Sequence, residues 1–152
     1  MKQLIIFVCS VICLFACSDD AAWEEKLMLI KQTGDTAPAV AACSLDSLAE
    51  SVQTQSEYIR MKYNLLRVRV NDKADIMPDS DTEVKRLVEY FNKNGDAPER
   101  QEALYYAGSV YRDLQDTPRA LEHFLQSMSV AELVKALRVG REGRVIRPQR
   151  SV

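Results

Sequence analysis

Apolar residues recur along this chain in two registers. From Leu4 to Ala16 they form one continuous, largely apolar run; after it they come three and four apart, the period of a helix buried on one side. The spacing predicts six helices. Ala22 to about Gln32 places Trp23, Leu27 and Ile30 on one face, and Gly34-Asp35 is expected to end it. Thr36 is expected to cap a second helix, with Pro38 in its first turn, running to about Ser51. A third, roughly Thr54 to Val70, turns Ile59, Tyr63, Leu66 and Val70 inward, and Asn71 to Pro78 makes a connection.

Ser80-Asp81-Thr82-Glu83 reads as a capping box ahead of a fourth helix with Val84, Leu87, Val88 and Phe91 on its apolar face. Asn94-Gly95 stops it and Pro98 opens the fifth, whose face is Ala103, Ala107, Val110, Tyr111 and Leu114. Gln115-Asp116 turns the chain. Thr117 is expected to cap the sixth helix, which is expected to bury Ala120, Leu121, Phe124, Leu125 and Met128. No segment reads as a strand, so the expected class is all-α. Few glycines and prolines, with abundant Ala, Leu, Glu, Lys, Arg and Gln, favour helix on propensity as well.

The apolar run is a different object. Met1-Lys2-Gln3 gives it a short positive start, but a membrane-spanning helix needs about 20 apolar residues, so this one reads as the core of a signal peptide. Ala16 and Cys17 close it. "LFAC" resembles the bacterial lipobox: Leu, a tolerant position (here the rather bulky Phe15), a small residue, then Cys. The resemblance implies that the Cys17 thiol is diacylglycerated and that the peptide is cut before it. An ordinary signal peptide with an incidental cysteine is the competing reading. Two or more acyl chains anchor stably where one binds only marginally. By the same resemblance, Ser18 disfavours inner-membrane retention and Asp19-Asp20 suits export to the cell surface, so an outer-membrane location is expected. Of the remaining cysteines, Cys9 and Cys13 leave with the signal, and Cys43, among small apolar residues, is expected to be buried.

The net charge of −2 gives no reason to expect a nucleic-acid partner, yet its distribution is uneven. From Leu133 onward the chain carries Lys135, Arg138, Arg141, Arg144, Arg147 and Arg150 against Glu142 alone, while the part before it is acidic. The expected division is a signal peptide over 1–16, a lipidated tether over 17–21, a helical domain over 22–132 and a basic tail over 133–152. A shifted or truncated reading frame would produce such an abrupt tail; a segment that binds anionic lipid is the alternative.

Helix pairs of this length suggest a solenoid. In "LYYAGSVYRDLQDTPRALEHFLQS" the spacing of Gly108, Tyr111, Ala120 and Phe124, with Ser127 at the next small position, resembles the tetratricopeptide repeat. Leu104, Ala107 and Glu132 depart from its pattern, and Thr54 to Asn94 is a looser copy with Leu87 and Phe91 at the A-x3-F positions. The resemblance implies antiparallel helix pairs stacked as a short α-solenoid, with Gly108 and Ala120 at close helix approaches. It extends to bacterial tetratricopeptide lipoproteins, whose longer members continue into further repeats. In that family the first helix of a repeat lines a groove for peptides or helices. Carried over, the groove positions are Glu102, Tyr105, Ser109, Arg112 and Asp113.

Chemistry is harder to find. The single histidine, His123, adjoins Phe124 and no cysteine or serine sits in a nucleophile motif; a hydrolase needs both a nucleophile and a positioned base. One histidine and one free cysteine make no zinc set, the glycines form no phosphate loop, and Asp79-Ser80-Asp81 lacks the distal Gly and Glu of a calcium loop. No catalytic residue, metal or cofactor is expected. The expected role is a lipid-anchored, extracytoplasmic adaptor for an unidentified protein or peptide. The alternative is the sensor end of a longer regulatory protein.

Overall fold

The computed structural model describes residues 20–145, so the signal segment and Cys17 lie outside the described residues. Those described form six α-helices and no strand. They divide into two compact units, parted between Ile76 and Met77. The division falls in the connection between the third and fourth helices, inside what the sequence suggests is one pair.

In the first unit, α1 covers residues 20–36, α2 Pro38–Leu48 and α3 Glu57–Lys73, with a 3₁₀ turn, Ser51–Thr54, ahead of α3. Gly34 does not end α1. It lies within the helix, where a Cβ would come 3.2 Å from Val70 Cγ2 and 3.5 Å from Ala41 Cβ. The glycine therefore permits a close approach of three helices. Pro38 breaks the helix instead, because a proline disfavours helical geometry in the residue before it; Ala37 is swung out to φ −140°. Thr36 is not the cap, since its hydroxyl donates back to the Thr33 carbonyl at 3.4 Å. Ser56 does cap α3, accepting from the Ile59 amide at 3.3 Å.

Trp23, Leu27 and Ile30 from α1, Ala41 and Leu45 from α2, Val52, and Ile59, Tyr63, Leu66 and Val70 from α3 form one core. Cys43 is exposed, against expectation. Ala41 and Leu45, one turn apart, set the inward face of α2, and a residue two positions from either points away at about 100° per residue. Polar contacts fix the helix directions. Ser56 donates to Asp20 at 3.0 Å, Lys62 pairs with Glu24, and Lys73 reaches Asp35 at 2.7 Å, so α1 and α3 run parallel. The Tyr63 hydroxyl donates to the Leu45 carbonyl at 2.9 Å, while Ala41, one turn earlier, and Val70, two turns later, both close on Gly34, so α2 runs against α3.

Lys73 and Arg69 together hold the Asp35 carboxyl down to about 2. A depressed carboxyl stabilises the fold at pH values above its unfolded value and loses that contribution as pH falls through the folded one. Asp35→Asn is expected to be less stable than the parent at neutral pH, and the difference is expected to close as pH falls from about 4 toward 2. Urea titrations at pH 7 and pH 2.5 check it.

The second unit contains α4 Thr82–Asn94, α5 Ala97–Asp113 and α6 Thr117–Val145. Val84, Leu87 and Phe91 turn inward from α4 as the spacing predicts. The capping box is not at Ser80. Asp81 makes no cap hydrogen bond, and the reciprocal pair stands one helix later: Asp96 accepts from the Glu99 amide at 2.8 Å and Glu99 from the Asp96 amide at 3.0 Å. Between α5 and α6 the chain reverses through Gln115 at φ 62°, with Asp116 N–H bonded to the Tyr111 carbonyl and Gln115 N–H to that of Arg112. The α6 cap is Asp116, which accepts from the Arg119 amide at 3.2 Å, rather than Thr117. The last helix runs on without a break to Val145, well past the start of the basic tail.

Candidate functional site

The α5/α6 hairpin is built on small residues. A Cβ at Gly108 would lie 2.7 Å from Cδ1 and Cε1 of Phe124, so only a hydrogen fits between the α5 backbone and that ring. Ala120 is buried, and Ser127 is buried with its hydroxyl donating to the Gln101 carbonyl at 2.9 Å. That bond stitches the open end of the hairpin.

Tyr111 fills the space among α4, α5 and α6. Its hydroxyl is hydrogen-bonded to Asp81, His123 stacks on its ring at 5.2 Å and 2°, and the Arg119 guanidinium lies 5.5 Å from its centroid. Burial, then Asp81, raise the Tyr111 hydroxyl above its ordinary range. Lys85, bonded at 2.8 Å, is the main cause that lowers Asp81, with Tyr111 and Arg119 adding to it. Asp81 is therefore a hub between helices, which is why it does not serve as a cap. Burial lowers His123, and its Nδ1 is enclosed with no hydrogen-bond partner.

Beside these rings lies a cleft of about 190 Å³ lined by Val84, Lys85, Val88, Glu89, Ala107, Tyr111 and His123. A drug-sized ligand needs roughly 300–1,000 Å³. This cleft has room for a single side chain.

The opposite side of the hairpin differs from expectation. Leu121, Leu125 and Met128 are 57%, 53% and 59% exposed, not buried. Ala120 and Ser127, seven residues apart, define the line of α6 that meets α5, and each of those three side chains stands about 100° or more around the helix from it. One neighbouring helix covers only one such line. Phe124 sits at the edge, half-buried, its ring 5.5 Å from that of Tyr105, which is 47% exposed. The result is a continuous apolar face of Tyr105, Phe124, Leu121, Leu125 and Met128.

The other groove positions fall around it. Glu102 is half-buried on α5, and Arg112, seven residues after Tyr105, is exposed and bonded through Nε and Nη2 to Asp113 at 2.8 Å. Ser109 is fully buried, so it offers nothing to a partner. The leucines of α6 were missed as surface groups. The signal that could have found them is the offset between their register and that of Gly108, Ala120 and Ser127.

No group of three or more His, Cys, Asp or Glu side chains that could hold a metal occurs among the described residues, and none of the described helices is long and apolar enough to cross a membrane. Comparison with protein-family models, with curated proteins and with solved structures gave no match.

Proposed function

We propose that this protein is a lipid-anchored, extracytoplasmic, tetratricopeptide-like adaptor that docks a protein partner on the outer face of α5 and α6. The observation that carries the reading is that face: five apolar side chains in one patch, rimmed by Glu102 and the Arg112–Asp113 pair. Patches of this kind mark interaction sites, and tyrosine suits such a surface because it offers apolar area with a polar tip. The "LFAC" stretch supports the anchor, and the Gly108, Tyr111, Ala120 and Phe124 set supports the repeat. A second reading, the sensor end of a longer regulatory protein, draws on the same stripe, since a further helix pair would stack there; further repeats encoded downstream in any frame would support it.

The test starts from protein extracted from membranes, beside a Cys17→Ser control. Its intact mass is expected to lack residues 1–16 and to carry acyl chains. Partner capture with Tyr105→Ala and Arg112→Ala combined is expected to fall roughly tenfold. An unacylated soluble mass would remove the anchor, and undiminished capture would remove the docking face.

A further inference from the structure

His123 is the only histidine of the chain, and histidine is the side chain whose ordinary titration falls between pH 5 and 8. Its seat in the second unit suits the neutral ring alone. The ring lies flat on that of Tyr111, centroids 5.2 Å apart and planes 2° from parallel, and borders the cleft walled by Val84, Val88 and Ala107. Its Nδ1 is enclosed and meets no hydrogen-bond partner. A neutral imidazole accommodates this by keeping its one proton on Nε2. A charged ring carries a second N–H on Nδ1, where nothing stands to accept it, and an enclosed donor without an acceptor is costly.

The charged groups around the ring do not repair this. From α4, Lys85 is held by Asp81 at 2.8 Å, and Glu89 stands exposed at the cleft. From α5, the Tyr111 hydroxyl is bonded to Asp81. On α6 itself, Arg119 pairs with Asp81 and Asp116, while Glu122, which favours the charged ring, is exposed and accepts from Gln126 at 3.1 Å. Asp81 is taken by its partners, and the exposed carboxylates are screened by water and salt. Burial prevails and holds the ring below its ordinary range. The ring also has somewhere to go, because His123 is half-buried at the edge of the packing and not in its centre.

We propose that His123 is a proton-operated latch on the second unit. Neutral, it seats on Tyr111 and joins α6 to α5; protonated in mild acid, it leaves that seat for water and loosens the amino-terminal turns of α6. Between the two titrations the folded chain binds fewer protons at this site than the unfolded one. Stability therefore falls as pH drops below about 6.5 and levels off once the folded ring is charged as well. The latch stands apart from the docking reading, since either can fail without the other.

The test uses the full chain labelled with 13C in its histidine ring, which gives a single titrating set of signals. The ring is expected to protonate below about pH 6.5. Its proton shifts, displaced upfield while it lies on Tyr111, are expected to reach those of a free imidazolium at the acid end. Urea unfolding followed by helical circular dichroism is expected to show a lower midpoint at pH 5 than at pH 7. The rise in the unfolding constant is expected to approach about tenfold for each pH unit by which the folded ring titrates below the unfolded one. His123→Phe keeps a ring on Tyr111 without a titrating group and is expected to lose the difference between the two pH values. His123→Gln, also uncharged, is a second probe should the phenyl ring fit poorly.

A ring that titrates at or above the ordinary value overturns the proposal, and so do acid-end shifts that stay displaced upfield. A parent equally stable at pH 7 and pH 5, or a loss at pH 5 that persists in both variants, overturns it too. If the ring titrates normally while the Tyr105 and Arg112 replacements still abolish capture, the adaptor reading stands and the latch falls.

Discussion

Replacing Phe91 with alanine is expected to destabilise the second unit by about 3–5 kcal/mol. The ring is fully buried on α4 and meets Tyr90 edge-on at 5.2 Å. It also lies under the end of its own helix, where a Cβ on Gly95 would come 2.8 Å from Phe91 Cδ1. Alanine removes the largest fully buried side chain among the described residues and leaves a cavity in its place. Against a total stability of about 5–15 kcal/mol, that is a large fraction.

Urea unfolding followed by helical circular dichroism checks it. The single tryptophan adds a control, because Trp23 lies in the core of the first unit. If the units unfold separately, the dichroism midpoint drops while the fluorescence midpoint stays. If both drop together, the units are one cooperative body. A loss below about 1 kcal/mol would mean that the site relaxes around the missing ring, in conflict with the packing described.

Gly108→Val is expected to cost about 2 kcal/mol, and the cost is expected to shrink when Phe124→Ala is added. Two effects compete at this position. Glycine inside a helix is worth about 1 kcal/mol less than alanine, so an added Cβ helps the isolated helix. Overpacking typically costs about 1–3 kcal/mol, and the Cβ would stand 2.7 Å from two atoms of the Phe124 ring, closer than side-chain carbons approach. For alanine the terms nearly cancel. Valine adds two branches with no further helical gain, so overpacking wins.

A double-mutant cycle with Phe124→Ala isolates the clash, with an expected coupling of about 1–3 kcal/mol. Additive effects would show that Gly108 is present for another reason. The same variant tests the link to function. Phe124 also touches Tyr105, so a displaced ring disturbs the outer face and partner capture is expected to fall with stability.

Much of this architecture was legible from spacing. Trp23, Leu27 and Ile30, then Ile59, Tyr63, Leu66 and Val70, then Val84, Leu87 and Phe91, all face inward as their period of 3.6 requires. The Gly108, Ala120 and Ser127 set marked the tight hairpin, because a missing side chain at a helix contact is a property of the residue itself. Pro38 acts through backbone geometry at the start of α2, and Gly95 stands at the end of α4, where a Cβ would meet Phe91.

The errors have a common cause. Sequence period tells which line of a helix is apolar but not how many neighbours exist to cover it. Leu121, Leu125 and Met128 look like core, yet α6 has one line for α5 and no described helix over the next. Polar residues near a helix start are ambiguous in the same way. Asp81 could serve a local amide or other partners, and it is held instead by Lys85 of its own helix, with the Tyr111 hydroxyl and Arg119 added from α5 and α6. Gly34, which locally reads as a stop, is held inside α1 because Val70 and Ala41 close on it. Local chemistry thus determined the helices and most of their inward faces. Only the tertiary structure decided which faces were left open, because that depends on contacts between residues far apart in the chain, and the open face is where the function is proposed to lie.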